Sequence, residues 1–359
     1  VRGEPEQAQR SFQRLVEVLG DHAEPSRLVG ARHRVAQIQA SQGDLPAAHA
    51  TLNECMATTE VLPFELTLDI RESLARVLYL LGNFAVAKEQ VEQGLLDARG
   101  IHRKRKVLLW QILQGLVSSA LGEYEAANTT LRDVAAAWRA DGDLREIARA
   151  YHNLAEVALA QGDHPTARTY LNESRRRKVE ANDLWGLVFT DIGLATLSHE
   201  TGAFAEALAT ATGATADARE RQDKCLIAWA LQTAARAAIA LDRMDEAAAA
   251  LGECAALLAI TCEQRRIAMA LERAALLANA RGEHAAAARL LGAAEGIRTA
   301  IGSPPTHGEA ADREACGAAV REAIGDAAFD GEADAGRLMS QPEALAMVAQ
   351  LCDDLALSA

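Results

Sequence analysis

The chain has 359 residues, a formal net charge of −13 and only 4% aromatic residues. The acidic balance argues against direct nucleic-acid binding by the whole surface, because phosphate contacts need clustered Lys and Arg. No apolar run approaches the ~20 residues that cross a bilayer, and no signal-peptide pattern opens the chain, so we expect a cytoplasmic protein with no membrane association.

A turn residue recurs along the chain at a nearly constant interval. The matching positions are Gly3, Gly43, Gly82, Gly122, Gly162, Gly202, Asp242 and Gly282, with steps of 40, 39, 40, 40, 40, 40 and 40 residues. A fixed period of this size is typical of stacked-repeat architectures. The chain opens at such a turn with no helix before it, so we interpret residues 1–20 as half a repeat and the chain as part of a longer protein.

Small residues occupy two fixed positions around each turn. Five residues after the turn stand Ala8, Ala48, Ala87, Ala127, Ala167, Ala207, Ala247 and Ala287. Seven residues before it stand Ala36, Ala75, Gly115, Ala155, Ala195, Ala235 and Ala275. Small side chains allow two helices to approach closely where they cross, so the pattern predicts a helical hairpin around every turn.

The register predicts seven hairpins after the half repeat. The first helices are expected near residues 26–42, 63–81, 102–121, 143–161, 183–201, 223–241 and 263–281. The second helices are expected near residues 45–60, 84–99, 123–140, 164–181, 203–221, 244–260 and 283–300. The repeats stop at Gly302, where Ser303-Pro304-Pro305 breaks the pattern.

Three further helices are predicted near residues 309–325, 326–336 and 341–356. The last begins with a capping box formed by Ser340 and Glu343. We interpret residues 303–359 as helices that cap the apolar end of the repeat region 1–302.

The hairpin pattern resembles the tetratricopeptide repeat (TPR), in the stretches Gly82-Asn83-Phe84, Gly122-Glu123-Tyr124 and Gly202-Ala203-Phe204. The resemblance implies an all-α, right-handed α-solenoid. The usual TPR period is about 34 residues, and a period near 40 also suits HEAT or armadillo repeats. The positions of the small residues favour TPR.

In TPR superhelices the first helices line the concave face, and the resemblance implies groove positions about 13, 10, 6 and 3 residues before each turn. Carried over, these give a candidate effector or partner groove of Asp69, Glu72, Arg76, Tyr79, Arg149, His152, Glu156, Phe189, Thr196, His199, Trp229, Gln232 and Arg236. Polar groups beside a few aromatic rings are what a peptide or small-molecule groove needs. A solvated wall without a ligand is the alternative.

The end of the chain carries a second resemblance. Residues 288–295, 327–329, 336–340 and 343–346 look like the C-terminal end of large actinobacterial-type SARP and LuxR transcriptional regulators. Those proteins join a DNA-binding domain, a STAND-class NTPase and a TPR sensor arm. No nucleotide-binding or helix-turn-helix motif is present here. The resemblance therefore implies a sensor region that controls modules lying upstream in the same polypeptide.

No motif for catalysis, a metal or a cofactor is present among the scattered histidines, so we predict a non-enzymatic protein without catalytic residues or cofactors. The six cysteines form no C-x-x-C pair, which favours reduced, buried thiols. Two basic runs, 102–106 and 175–178, are either solvated faces or sites for an acidic partner or anion.

Two hypotheses follow for the function. The chain is the sensor or protein-interaction region of a STAND-type regulator, binding a peptide, small-molecule effector or protein partner. Alternatively, it is a free-standing TPR receptor for a pheromone-like peptide, or a scaffold adaptor. Exposed apolar residues Phe12, Leu15, Val16 and Leu19 leave open that the chain forms a homo-oligomer through its first helix.

Overall fold

Helices of nearly constant length follow one another through the chain. The computed structural model describes residues 11, 13–14, 17–18, 24–58 and 62–356, and its 17 helices with assigned ends lie within 25–356. The predicted turn at Gly3, and the apolar end at Phe12, Leu15, Val16 and Leu19, lie outside the described residues. The half repeat and association through it therefore stay predictions.

The predicted element order is present throughout the described residues. The first helices of the seven hairpins are α1 (Pro25–Ser41), α3 (Phe64–Leu80), α5 (Lys104–Ala120), α7 (Leu144–Ala160), α9 (Leu184–Glu200), α11 (Lys224–Ala240) and α13 (Gln264–Ala280). The second helices are α2 (Leu45–Met56), α4 (Phe84–Gly100), α6 (Tyr124–Asp141), α8 (His164–Glu180), α10 (Phe204–Glu220), α12 (Met244–Thr261) and α14 (His284–Ile301). The three tail helices are α15 (His307–Ile324), α16 (Asp326–Arg337) and α17 (Gln341–Ala356).

Left-handed backbone conformations separate the helices. Within hairpins they fall on Gly43, Gly82, Gly122, Gly162, Gly202, Asp242 and Gly282. Between hairpins they fall on His102, Gly142, Asn182, Gln222, Cys262 and Gly302. From residue 102 to residue 302 these positions are 20 residues apart. The structural unit is therefore one helix plus one turn, which is half the period found in the sequence.

The turn at Gly162 explains why two residues suffice to end one helix and start the next. The amide of Gly162 donates to the carbonyl of Leu159 (3.0 Å), and the amide of Asp163 donates to that of Ala158 (2.9 Å). These two bonds satisfy carbonyls at the end of α7, and glycine takes the left-handed conformation without a steric cost. The Asp163 carboxylate then caps α8 by accepting from the amide of Thr166 (3.2 Å).

Close approach at the predicted small positions holds each hairpin together. Five residues after the turns, all seven described alanines are fully buried: Ala48, Ala87, Ala127, Ala167, Ala207, Ala247 and Ala287. Seven residues before the turns, the six alanines are also fully buried: Ala36, Ala75, Ala155, Ala195, Ala235 and Ala275. These positions confirm the helical hairpins predicted from the sequence.

Close packing within the hairpins also accounts for the burial of two cysteines. The thiols of Cys55 and Cys254 lie against the backbone carbonyls of Val29 (3.9 Å) and Ala228 (3.5 Å), each 26 residues earlier on the first helix. Ser174 makes the equivalent bond in another hairpin. Burial raises the pKa of the Cys254 thiol to about 12, so the group stays protonated and inert. All six cysteines are free thiols.

The chain forms two compact units, Val1–Ser118 and Ser119–Ala359. In the second unit the first helices α7, α9, α11 and α13 pack side by side, and each packs on its own second helix. Helix α16 packs along α14, and α17 packs on α12 and α13. The tail helices therefore belong to the second unit, and a domain boundary at residue 302 stays a prediction from the repeat pattern.

Helices α14 and α16 cross at two glycines. A Cβ atom placed on Gly292 would lie 2.0 Å from the carbonyl oxygen of Ala333, and one on Gly336 would lie 1.9 Å from that of Arg289. Real Cβ atoms do not approach backbone oxygens so closely. The two glycines therefore permit backbone contact between the last hairpin and the tail.

We expect Gly292→Ala to lower the free energy of unfolding, by about 1–3 kcal/mol, because the new methyl group forces α14 and α16 apart. Gly213→Ala is the matched control, since a Cβ there meets nothing within 4 Å. It should stabilise α10 by about 0.5–1 kcal/mol through helix propensity. Urea unfolding followed by circular dichroism measures both, and equal effects of the two substitutions would contradict the close crossing.

Candidate functional site

The first helices of the second unit present one continuous surface. We call the surface formed by α7, α9, α11 and α13, on the side where α15 packs, the inner face. Helix α15 contacts α7, α13 and α14. Most of the predicted groove residues of this unit lie on or beside the inner face, and they separate into two groups with different surroundings.

The first group is a cluster of rings contributed by three successive first helices. The ring of Phe189 lies 6.0 Å from His152 and 6.0 Å from Trp229, measured between centroids, and 4.6 Å from Trp185. The guanidinium of Arg266 lies over Trp229 at 4.2 Å, a cation–π contact. We call His152, Trp185, Phe189 and Trp229 the aromatic cluster. Trp185 is the member that the groove positions did not predict.

Three buried side-chain atoms on α7 and α11, two helices that carry these rings, have no hydrogen-bond partner. They are Nδ1 of His152, Oε1 of Glu156 and Oε1 of Gln232. The side-chain nitrogen Nε2 of Gln232 donates to the carbonyl of Arg266 (2.6 Å). This bond fixes the orientation of the side-chain amide and so the direction of its unpartnered oxygen. Buried polar atoms are normally satisfied, so these three are candidates for hydrogen bonds to a ligand.

Burial shifts His152 and Glu156 toward their uncharged forms. Desolvation lowers the pKa of His152 well below its ordinary value, with a smaller contribution from Lys178. Desolvation raises the pKa of Glu156 to about 7, although Arg265 and Arg266 act in the opposite direction. The group therefore offers aromatic surface, a neutral imidazole and a carboxyl that is about half protonated at pH 7, and such groups suit a side chain or the backbone of a peptide.

The second group is covered by the chain itself. After α14 ends at Gly302, residues 303–313, which we call the return segment, run back across the second unit. The hydroxyl of Ser303 donates to the carbonyl of Ala120 (2.7 Å). A Cβ on Gly122 would lie 2.8 Å from the Pro304 ring, and a Cβ on Gly162 would lie 2.7 Å from the His307 ring.

The return segment continues onto α9, α11 and α13. Arg236 donates to the carboxylate of Asp312 (2.6 Å) and to the carbonyl of Gly308 (3.2 Å), and it lies 3.6 Å from Glu200. Arg236 is 6% exposed. This candidate groove residue is therefore engaged within the chain.

A network of buried and partly buried charges joins the return segment to the inner face and to α14. The network contains four guanidinium groups (Arg236, Arg273, Arg298, Arg313) and four carboxylates (Glu200, Glu272, Glu309, Asp312). Arg298 pairs with both oxygens of Glu272 (2.7 and 2.8 Å) and with Glu309 (3.0 Å). Removing one partner of such a network leaves an uncompensated buried charge and costs about 3–5 kcal/mol.

Glu309 has two roles in this network. With Thr306 it forms a capping box at the start of α15, so its carboxylate is fixed by the backbone. Burial alone would raise its pKa, but the neighbouring cations, Arg298 first among them, hold the pKa well below its usual range. Glu309 is therefore charged at neutral pH.

The remaining candidates of the second unit make local contacts. Arg149 pairs with Glu146 (2.5 Å) on its own helix. The hydroxyl of Thr196 donates to the carbonyl of Ile192 (3.0 Å), also within one helix. The ring of His199 packs against Phe204 at 5.0 Å, and burial, with Arg236 nearby, lowers its pKa to about 3. None of these three joins the aromatic cluster.

The candidates of the first unit form a separate group. Lys106 on α5 pairs with Asp69 and lies 3.8 Å from Glu72, and Arg76 pairs with Glu72 at 3.2 Å. Tyr79 packs against Phe84 at 5.6 Å. The acidic candidates on α3 are thus neutralised by the next first helix.

Residues of the two basic runs have partners within the chain. In the first run, Arg103 pairs with Glu65 at 2.6 Å. In the second, Arg175 pairs with Asp191 and Arg176 with Glu173. Lys178 is buried and donates to the carbonyl of Gly186 (2.8 Å) and the hydroxyl of Thr190 (2.7 Å).

Several residues of the inner face, of α14 and of the return segment are absent from the predicted groove. Glu272 stands ten residues before Gly282, which is one of the groove positions counted back from each turn. Applying those positions to the last hairpin would have identified it. The sequence Thr306-His307-Gly308-Glu309 has the spacing of a capping box, which would have moved the predicted start of α15 from residue 309 to 307. Arg273, Arg298 and Asp312 carry no such signal.

Two negative findings concern the described residues alone. No helix there is long and apolar enough to cross a membrane. Within the same residues, no group of three or more His, Cys, Asp or Glu side chains could hold a metal ion.

Comparison with known proteins identifies the type of repeat. The family model of the tetratricopeptide repeat matches residues 107–178. A search of curated proteins found no match. These residues cover two of the seven hairpins only in part, but they carry the register that the other hairpins share. The chain thus contains a TPR-type protein-interaction region.

Solved structures share the fold at low sequence identity. The chain is similar to a Rap protein complexed with competence and sporulation factor, with a TM-score of 0.69, 13% identity, and coverage of 96% of this chain and 94% of that chain. It is also similar to the Rap conjugation gene regulator of plasmid pLS20 in complex with the Phr* peptide (TM-score 0.54, 10% identity, 90% of this chain and 98% of that chain).

A third similar structure is a Signal Transduction ATPase with Numerous Domains (STAND) protein with a tetratricopeptide repeat sensor from Pyrococcus horikoshii. The TM-score is 0.50 at 14% identity, over 76% of this chain and 41% of that chain. Identities this low establish the fold alone. The prediction of an all-α fold built from TPR-like hairpins is confirmed.

We expect Gly162→Ala to loosen the return segment and Gly202→Ala to leave it in place. Both glycines have a left-handed backbone, so both substitutions carry a similar strain of about 1 kcal/mol. Only at Gly162 would the methyl group meet His307, because a Cβ on Gly202 meets nothing within 4 Å.

Hydrogen exchange followed by mass spectrometry measures this difference. Amides of residues 303–313 should exchange faster in Gly162→Ala than in Gly202→Ala, and exchange in α12, which adjoins neither turn, should be the same in both. Equal exchange of the return segment in the two variants would contradict its contact with the turn at Gly162.

We expect Glu156→Gln to change how stability depends on pH. The folded pKa of about 7 lies above the ordinary value of 4.5, so between these values the unfolded chain releases a proton that the folded chain keeps. Stability present below pH 4.5 is therefore lost as the pH rises through 7. The variant should be more stable than the original chain by about 1–3 kcal/mol above pH 7, and the difference should vanish near pH 4.5.

Urea unfolding at both pH values measures the effect. Glu206→Gln, an exposed carboxyl on α10, controls for the change in net charge. A stability gain of Glu156→Gln that is the same at both pH values would contradict the predicted protonation of the buried Glu156 side chain.

Proposed function

We propose that this chain is a non-enzymatic receptor region that binds a peptide segment, a small effector or a protein partner on the inner face of its second unit. The observation that carries the proposal is the aromatic cluster, together with three unpartnered polar atoms on α7 and α11, two of the helices that form it. Rings provide apolar contact area, and fixed amide, imidazole and carboxyl atoms provide directional hydrogen bonds. Ligand pockets combine these two kinds of group.

The binding region serves, in this proposal, to control a larger transcriptional regulator of the cytoplasm. Binding at the inner face would be transmitted to an NTPase and DNA-binding module elsewhere in the same polypeptide. The similarity to a STAND protein with a TPR sensor supports this context, as does the resemblance of the C-terminal sequence to SARP and LuxR regulators.

A free-standing peptide receptor is the second candidate. The similarity to a Rap protein complexed with competence and sporulation factor extends over nearly the whole of both chains, which favours this context. Both candidates use the same inner face. Whether the coding sequence continues upstream of Val1 with an NTPase module separates them.

We expect Trp229→Ala to weaken ligand binding by about tenfold or more, equivalent to about 1.4 kcal/mol. A thermal-shift screen of the whole chain against short peptides, nucleotides and metabolites first supplies ligands, because a ligand that binds only the folded state raises the apparent stability. Titration calorimetry then compares each ligand on the original chain, on Trp229→Ala and on Phe64→Ala, whose half-exposed ring lies in the first unit.

Three outcomes are informative. Loss of binding in Trp229→Ala alone supports the aromatic cluster as the site. Equal loss in Phe64→Ala, or unchanged affinity in Trp229→Ala, contradicts it. Arg236→Ala extends the comparison to the part of the inner face that the return segment covers.

A further inference from the structure

The return segment occupies the inner face as a bound peptide would. It enters through Ser303 and two prolines, makes backbone contact through the carbonyl of Gly308, and places two carboxylates, Glu309 and Asp312, against buried arginines. These carboxylates stand three residues apart at the start of α15, which brings them to one side of the helix.

Charge balance indicates what kind of occupant this surface requires. Without the return segment, the network would retain Arg236, Arg273 and Arg298 opposite only Glu200 and Glu272. Under the return segment the side chains of the three arginines are 7%, 4% and 4% exposed, so any occupant that covers them in its place buries the excess positive charge again. Buried charges need a paired opposite charge. An acidic occupant satisfies this need, and an apolar or basic one does not.

The return segment leaves one buried guanidinium nitrogen of this surface without a hydrogen bond. Nη1 of Arg273 lies 3.7 Å from the Asp312 carboxylate and has no hydrogen-bond partner, although Arg273 is only 3% exposed. A carboxylate on a longer side chain would reach this nitrogen. An external segment can therefore bind this surface better than the chain's own residues.

We infer that Arg236, Arg273 and Arg298 form a receptor site for an acidic peptide segment with two carboxylates three residues apart, and that the return segment occupies this site until such a partner replaces it. Gly302 precedes the return segment and Gly325 follows α15, and both have a positive φ. The chain can therefore turn at either end of this stretch. The inference rests on the proposed use of the inner face and names the chemistry of a partner there.

Fluorescence anisotropy with labelled peptides tests the site on the whole chain. The acidic peptide has the sequence of residues 302–315, GSPPTHGEAADREA. A neutral peptide carries Gln in place of Glu309 and Asn in place of Asp312, and a long-arm peptide carries Glu in place of Asp312. The receptor is the chain with E309Q and D312N, which keeps all three arginines and removes the competing carboxylates.

The acidic peptide should bind the E309Q/D312N chain at least tenfold more tightly than it binds the original chain, and added NaCl should weaken this binding. The neutral peptide should show no such preference, and the long-arm peptide should bind several times more tightly than the acidic one. Failure of the acidic peptide to bind the variant, or equal binding of acidic and neutral peptides, overturns the inference.

A second pair of receptors covers the case in which E309Q/D312N does not fold. Gly162→Ala keeps every charge and displaces His307, and Gly202→Ala is its matched control. The acidic peptide should bind the first more tightly than the second, and equal affinities overturn the inference. The binding of a ligand at Trp229 tests the proposed function separately. The receptor site for an acidic peptide can therefore be contradicted while the aromatic cluster is still supported as a binding site.

Discussion

Close approach of helices at alanine positions is the constraint on which the other features depend. With Ala155 and Ala167 fully buried at one crossing, α7 and α8 pack at a distance that larger side chains would prevent. Repetition of this crossing orders the first helices side by side. Their side chains at fixed intervals before each turn then line one face, which is how residues from separate hairpins, such as His152, Phe189 and Trp229, come into ring contact.

Burial of charge distinguishes the second unit from a simple stack of hairpins. In most repeat proteins each repeat contacts only its neighbours. Here Ser303 bonds to Ala120 across 183 residues, and Arg236 bonds to Asp312 across 76. These contacts link hairpins that are far apart in the chain, and they are polar where the hairpin crossings are apolar. The inner face therefore has an ionic part that the return segment covers, and an aromatic part in which His152 is buried and Trp185 is exposed.

Sequence periodicity predicted the features that repeat. The glycine turns and the alanines around them gave the number of hairpins and nearly all helix ends, because the same backbone geometry imposes the same residue at each repeat. The turns between hairpins were less visible, since His102, Asn182, Gln222 and Cys262 share a left-handed conformation but no side-chain type. The groove positions include His152, Phe189 and Trp229, whose rings are in contact, and their role in binding a ligand stays a prediction.

The course of the return segment could not be predicted from the sequence. Its contacts join residues that occur once, so no period reveals them. Arg273, Arg298 and Asp312 look like ordinary charges of an amphipathic helix until the fold places them together. Arg236 is buried because the return segment packs over it, and its position in the repeat does not predict this. The groove positions therefore include Arg236 but give no sign of its partner Asp312.

The return segment also fixes the length of this array. Solenoid proteins commonly gain or lose whole repeats during evolution, because a new hairpin only needs neighbours like itself. In this chain a peptide of constant length must reach from Ala120 to Arg273 while meeting the turns at Gly122 and Gly162 on the way. One hairpin more or fewer between these points would move its carboxylates away from their arginines. An inserted or deleted hairpin between Ala120 and Arg273 would therefore break contacts of the return segment as well as add or remove a repeat.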